Sequence, residues 1–148
     1  MVAVVIHFVF AIIASVIGLF SFFLDKGTHN HKLIGRFFVI AMAISLASSF
    51  FIRSNDKFGP IHILSVLGTY WLIKSILAVS LKFKNWKHIH ARNITNVYLS
   101  IIIAGAGVFG RYIVFPGNAT KGYIISAIVA VPSIIIAHRL LNKYFKVK

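Results

Sequence analysis

Five apolar stretches, each roughly 20 residues long, decide what this chain can become, because that is the length an α-helix needs to cross a ~30 Å hydrocarbon layer. They are Val2–Leu24, Leu33–Ile52, Ile61–Leu81, Ile94–Phe115 and Ile124–Leu141. Backbone polar groups must be paired internally in lipid, so spanning segments are helices or a closed barrel. Barrel strands would alternate polar and apolar residues, whereas "FVIAMAISLASSFFI" is continuously apolar. The expected fold is therefore all-α, an integral membrane bundle of five transmembrane helices. The connections are short, so residues 1–148 are read as one membrane-embedded helical domain.

Composition agrees. Of 148 residues, 59% are hydrophobic, with a mean hydropathy of +0.89. A soluble domain of this size needs more polar surface than that. Val2–Leu24 lacks a basic leader and a small-residue cleavage site after it, so it is read as a membrane helix and not as a secretion signal. Cysteine is absent, which excludes disulfides, thiolate metal sites and covalent c-type haem attachment.

The net charge of +14 comes from 16 basic residues against two acidic ones, Asp25 and Asp56. The cations sit at helix ends, where anionic lipid headgroups account for them better than nucleic acid does. Lys26, Lys32, Arg36, Lys82, Lys84, Lys87, Arg92, Arg139, Lys143, Lys146 and Lys148 fall on one side. Arg53, Lys57, Arg111 and Lys121 fall on the other. The positive-inside rule then places the N-terminus outside and the C-terminus in the cytoplasm. The expected partner is a bilayer with anionic headgroups on its cytoplasmic face, and the expected location is a bacterial cytoplasmic membrane.

Turn signals fit the same division. Pro60 is expected in the first turn of the third helix, and "FPGNATKGY" separates the fourth from the fifth. Pro132 lies inside the fifth helix, where a membrane bundle tolerates it. Small and polar residues form stripes at three- and four-residue steps. The stripes are His7, Ala11, Ala14, Gly18 and Ser21; Gly35, Phe38, Met42, Ser45 and Ser49; His62, Ser65 and Thr69; and Asn93, Asn96, Ser100, Ala104, Gly107 and Arg111. Such stripes let helices approach closely.

Histidine is the one abundant group able to act as acid, base or ligand. His31 and His90 each stand just ahead of an expected helix, whose positive N-terminal dipole favours neutral imidazole. Paired histidines on neighbouring helices are a pattern for b-type haem. An inner site from His31 and His90, with His7 and His62 on the outer side, would make an electron path that exchanges with quinone. His29, His88 and His138 read as residues solvating helix ends. Lys74 is expected to snorkel to the cytoplasmic interface. Arg111 stands on the polar stripe of the fourth helix and could clamp a carboxylate, phosphate or haem propionate. No carboxylate lies within a spanning segment and no phosphate loop or nucleophile triad is present, so a hydrolase, an ATPase or a carboxylate-relay transporter is not expected.

"KGTHNHKLIGRFFVIAM" resembles the signature of a family of predicted bacterial membrane proteins known as domain of unknown function 2306. Lys26, Gly27, Thr28, His31, Lys32, Gly35, Arg36, Phe38, Val39 and Met42 match its first motif. "FGPIHILS" resembles a second, through Phe58, Pro60 and His62. "HARNITNVY" resembles a third, through His90 and Tyr98, with Ala91 and Ile94 replacing the usual Arg and Met. The resemblance covers helices two to four and implies a small multi-helix membrane protein. It singles out His31, His62 and His90, and leaves His7 outside the matching region.

The residues expected to hold a cofactor are thus His31, His90, His62, Arg36 and Arg111, with His31 and His90 as haem ligands. Two other readings stay open. One is a carrier or sensor for a small anion or lipid headgroup, built on Arg111, His62 and the fourth helix. The other is a structural accessory subunit.

Overall fold

The computed structural model describes residues 2–52 and 60–146. The expectations attached to Arg53, Asp56, Lys57, Phe58 and Lys148 lie outside the described residues. Five α-helices run in order: α1 Val2–Phe23, α2 His29–Ser49, α3 Pro60–Leu81, α4 Trp86–Phe109 and α5 Ala119–Lys146. A π-helical turn, Gly110–Val114, extends α4. No strand occurs among the described residues, and all five helices are long and apolar enough to cross a membrane.

The helices begin earlier than apolarity alone indicated. α2 starts at His29, α4 at Trp86 and α5 at Ala119. The hydrophobic count registers only residues that prefer hydrocarbon, whereas backbone hydrogen bonding continues through polar first turns. Thr28 caps α2, its Oγ1 accepting from the His31 N–H at 3.2 Å. Asn118 caps α5 likewise, accepting from the Lys121 N–H at 3.0 Å. His31 and His90 consequently lie inside α2 and α4, not ahead of them.

The chain forms two compact units, Met1–Thr69 and Tyr70–Lys148, with the boundary inside α3. In the first unit, α1 and α2 make a helical hairpin. Ala14 and Gly18 are buried on α1, and Phe38, Ala41, Met42, Ser45, Leu46, Ser48 and Ser49 on α2. Ala14, Gly18, Phe38, Met42, Ser45 and Ser49 belong to the stripes read from the sequence, whereas His7, Ala11, Ser21 and Gly35 of the same stripes are only half-buried. The turn between the helices is built by the "KGT" segment. Lys26 Nζ donates to the carbonyls of Ser21 and Phe22 at 2.9 and 2.8 Å, satisfying the end of α1. Gly27 takes a positive φ of 87°, and Thr28 Oγ1 donates to the Asp25 carbonyl at 2.8 Å. Burial lowers the Lys26 pKa below the ordinary lysine value, with Asp25 opposing the shift.

In the second unit, the last part of α3 folds back into α4 through a turn in which Lys82 and Asn85 both have positive φ. α4 then packs on α5 through glycine. A methyl group placed on Gly122 would meet the Gly107 carbonyl oxygen at 2.8 Å and Arg111 Cβ at 2.9 Å. Ser126 Oγ donates across the same contact to the Ile103 carbonyl at 3.0 Å. Pro132 sits within a continuous α5.

Candidate functional site

The histidines divide between joints and loose ends. In the first unit, His7 Nδ1 donates to the Ser45 carbonyl at 2.8 Å, while Ser45 Oγ donates back to the His7 carbonyl at 3.3 Å. In the second, His90 Nδ1 and Ser75 Oγ are hydrogen-bonded at 2.8 Å, with Ser75 Oγ also 3.4 Å from the His90 carbonyl. The two joints share one design, a serine and a histidine reaching across a helical hairpin. Each pair stands equally far, or within a residue of it, on either side of its turn. His62 Nε2 donates to the Ile52 carbonyl at 2.7 Å. His138 Nε2 donates to Asn96 Oδ1 at 2.9 Å, linking α5 to α4. His88 packs edge-on against Phe145, ring centres 4.8 Å apart. His29 is exposed, and His31 keeps a buried Nδ1 that has no hydrogen-bond partner.

Haem binding gains no support from this arrangement. His31 belongs to one unit and His90 to the other, so each unit taken alone holds one of the two expected ligands. No group of three histidine or acidic side chains placed to hold a metal ion occurs among the described residues. Arg36 is exposed on α2. Arg111 lies on the π-helical turn, its guanidinium 5.3 Å from the Tyr112 ring centre and its Nε buried with no hydrogen-bond partner.

What the second unit does assemble is a cleft between the end of α3 and the start of α4. It has a volume of about 290 Å³ and is lined by Tyr70, Trp71 and Lys74 from α3 and by His88, Ile89, Arg92, Asn93 and Asn96 from α4. The α4 residues recur at helical spacing, so one face of that helix supplies an imidazole, a guanidinium and two amides. Tyr70 and Asn96 are equidistant from Phe83 in the turn, as are Lys74 and Arg92, so the antiparallel hairpin itself brings them level. Ser75 and His90 clamp the hairpin directly beside the cleft.

Lys74 corrects the sequence reading. Its ammonium does not reach along its stem toward the near helix end, roughly 10 Å away at 1.5 Å per residue. It turns back one helical turn and donates to Tyr70 Oη at 2.9 Å, 5.2 Å from the centre of that ring. Asn93 Nδ2 is spent on the Ile89 carbonyl at 2.7 Å. The cleft thus has three groups able to carry positive charge, two aromatic side chains, and no acidic side chain. Both acids of the chain, Asp25 and Asp56, precede this unit. Such a surface can hold an anion through charge-assisted hydrogen bonds.

Sequence reasoning singled out Asn93 and Asn96 through their stripe but passed over Lys74, His88 and Arg92 as interfacial. Counting outward from the "KFKN" turn is the signal that would have matched Lys74 with Arg92.

Residues 4–144 match the family model described as "Predicted membrane protein (DUF2306)", a wider span than the motifs in helices two to four. No curated protein and no solved structure matches the chain significantly. The chain belongs to this family of predicted membrane proteins.

Proposed function

We propose that this member of a predicted membrane-protein family binds a small anionic group in the α3–α4 cleft, as a carrier or sensor without catalytic chemistry of its own. The observation that carries the reading is Lys74. An ionisable residue within a spanning helix is costly unless it is paired, and here Lys74 donates to a neutral phenol. Arg92 faces the same cleft and no carboxylate lines it. An anionic ligand would supply the counter-charge that no lining side chain provides. By the positive-inside rule this end of the hairpin, with Lys82, Lys84 and Lys87 in and beside its turn, faces the cytoplasm. The ligand therefore arrives from the cytoplasm or from the inner leaflet.

Thermal unfolding of the full chain in an uncharged detergent tests this. At constant ionic strength, replacing chloride by phosphate should raise the midpoint in proportion to the logarithm of phosphate concentration. The double variant Lys74→Gln/Arg92→Gln should lose that dependence. An identical response in the two proteins would remove the cleft from consideration.

A further inference from the structure

We infer that the group recognised by this cleft is a phosphomonoester carried on a lipid chain, a dianionic headgroup held from the membrane side. The inference rests on the anion-binding reading above and specifies its ligand. Three features of the cleft select it.

The first is charge. Lys74, Arg92 and His88 line it together, with no acidic side chain among the lining residues. One carboxylate or phosphodiester would leave this cluster under-neutralised, whereas a phosphomonoester brings close to two negative charges and three strong acceptor oxygens. The guanidinium of Arg92 offers a planar fork for two of those oxygens, and the Lys74 ammonium has donors beyond the one given to Tyr70.

The second is size. A volume of about 290 Å³ falls at the lower limit of pockets that enclose a whole small ligand. It has room for a phosphate and its ester carbons.

The third is what lies beside the opening. Tyr70 is 52% exposed, and Ile73 and Leu77 on the same helix are exposed as well, the first by 51%. In a spanning helix these residues meet acyl chains. A lipid can therefore seat its phosphate between Lys74 and Arg92 while its chain runs along α3, with no segment of either molecule leaving its preferred solvent. Free phosphate shares the headgroup chemistry but gains nothing from that apolar flank.

Trp71 lines the cleft and the chain has only one other tryptophan, Trp86, so a Trp86→Phe background reports the site by fluorescence. The protein is placed in phosphatidylcholine nanodiscs at mildly alkaline pH. A fixed fraction of the lipid carries brominated chains on phosphatidic acid, phosphatidylglycerol or phosphatidylcholine. Brominated phosphatidic acid should quench Trp71 well beyond the other two, with an affinity about tenfold above that of phosphatidylglycerol, the loss expected for one charge-assisted interaction. Arg92→Gln should erase the excess, and Arg92→Lys, which keeps the charge but not the fork, should reduce it. Millimolar inorganic phosphate should leave it in place.

Equal quenching by the two acidic lipids, both above phosphatidylcholine, overturns the phosphomonoester preference and leaves the anion site standing. Displacement of phosphatidic acid by inorganic phosphate at comparable concentration assigns the cleft to the free ion and overturns the lipid. Equal quenching by all three lipids, which needs no variant to be read, overturns the lipid; the reading beneath it falls as well if phosphate also leaves the unfolding midpoint of the full chain unchanged.

Discussion

Ser75 is almost completely buried, at 1% exposure, and its hydroxyl is what ties α3 to His90. A polar pair inside hydrocarbon is worth about 1 kcal/mol, because the separated helices find substitute partners of their own. Ser75→Ala should therefore lower stability in mixed micelles by about 1 kcal/mol, and Ser45→Ala by less, because the 2.8 Å bond from His7 Nδ1 to the Ser45 carbonyl survives it. A Ser75→Ala variant as stable as the parent would show that the joint with His90 bears no weight. Lys74 should behave in the opposite way. Lys74→Met removes a costly membrane-depth cation and should raise stability by about 1 kcal/mol or more in anion-free detergent, while abolishing the phosphate response. A freely snorkelling lysine would leave both quantities unchanged. The sequence pointed to His90 because histidine is conspicuous in an apolar chain. It did not point to Ser75, since serine is common on such helices and its partner is fixed only by how the hairpin pairs. Lys74 was misread for a related reason: side-chain length shows what a lysine can reach, not that a phenol one turn back will hold it.

Among the elements, the α4–α5 contact is the most sharply defined by glycine. Gly122→Ala would press a methyl group against the Gly107 carbonyl and the Arg111 stem, and neither backbone nor Cβ can swing away. We expect a loss of about 1–3 kcal/mol, seen as a lower unfolding midpoint, with the π-helical turn at Gly110–Val114 disturbed. Gly105→Ala is the control, because nothing lies within 4 Å of the added group, and it should be neutral or slightly stabilising. The number and class of helices were legible from hydropathy, and the inward stripes from their spacing. Helix starts were not, because Thr28 and Asn118 extend α2 and α5 into polar sequence that hydropathy scores as loop. The "KGT" motif was legible as a turn but not as a cap. Its lysine closes the end of α1 through two carbonyls, which gives it a structural reason to be there before any ligand is considered.

For the whole molecule, the charge asymmetry makes a topological claim that the absence of cysteine renders easy to check. Asn30→Cys, in the first turn of α2, should resist a membrane-impermeant maleimide in intact cells and react after lysis. Thr120→Cys, exposed in the first turn of α5, should react in intact cells. The reverse pattern would put the cleft on the outer face and remove the inner leaflet as its source of ligand. The central claim is that Arg92, alone among the described arginines, faces a ligand in this cleft. Its most direct test is the guanidinium Nε–H resonance of each arginine in a ¹⁵N-labelled sample titrated with methyl phosphate at constant ionic strength. Binding in the cleft should give a saturable shift of the Arg92 resonance that vanishes in Lys74→Gln, with those of Arg36 and Arg139 unmoved. A saturable shift at Arg111 with none at Arg92, or equal non-saturating drift of all of them, would contradict it.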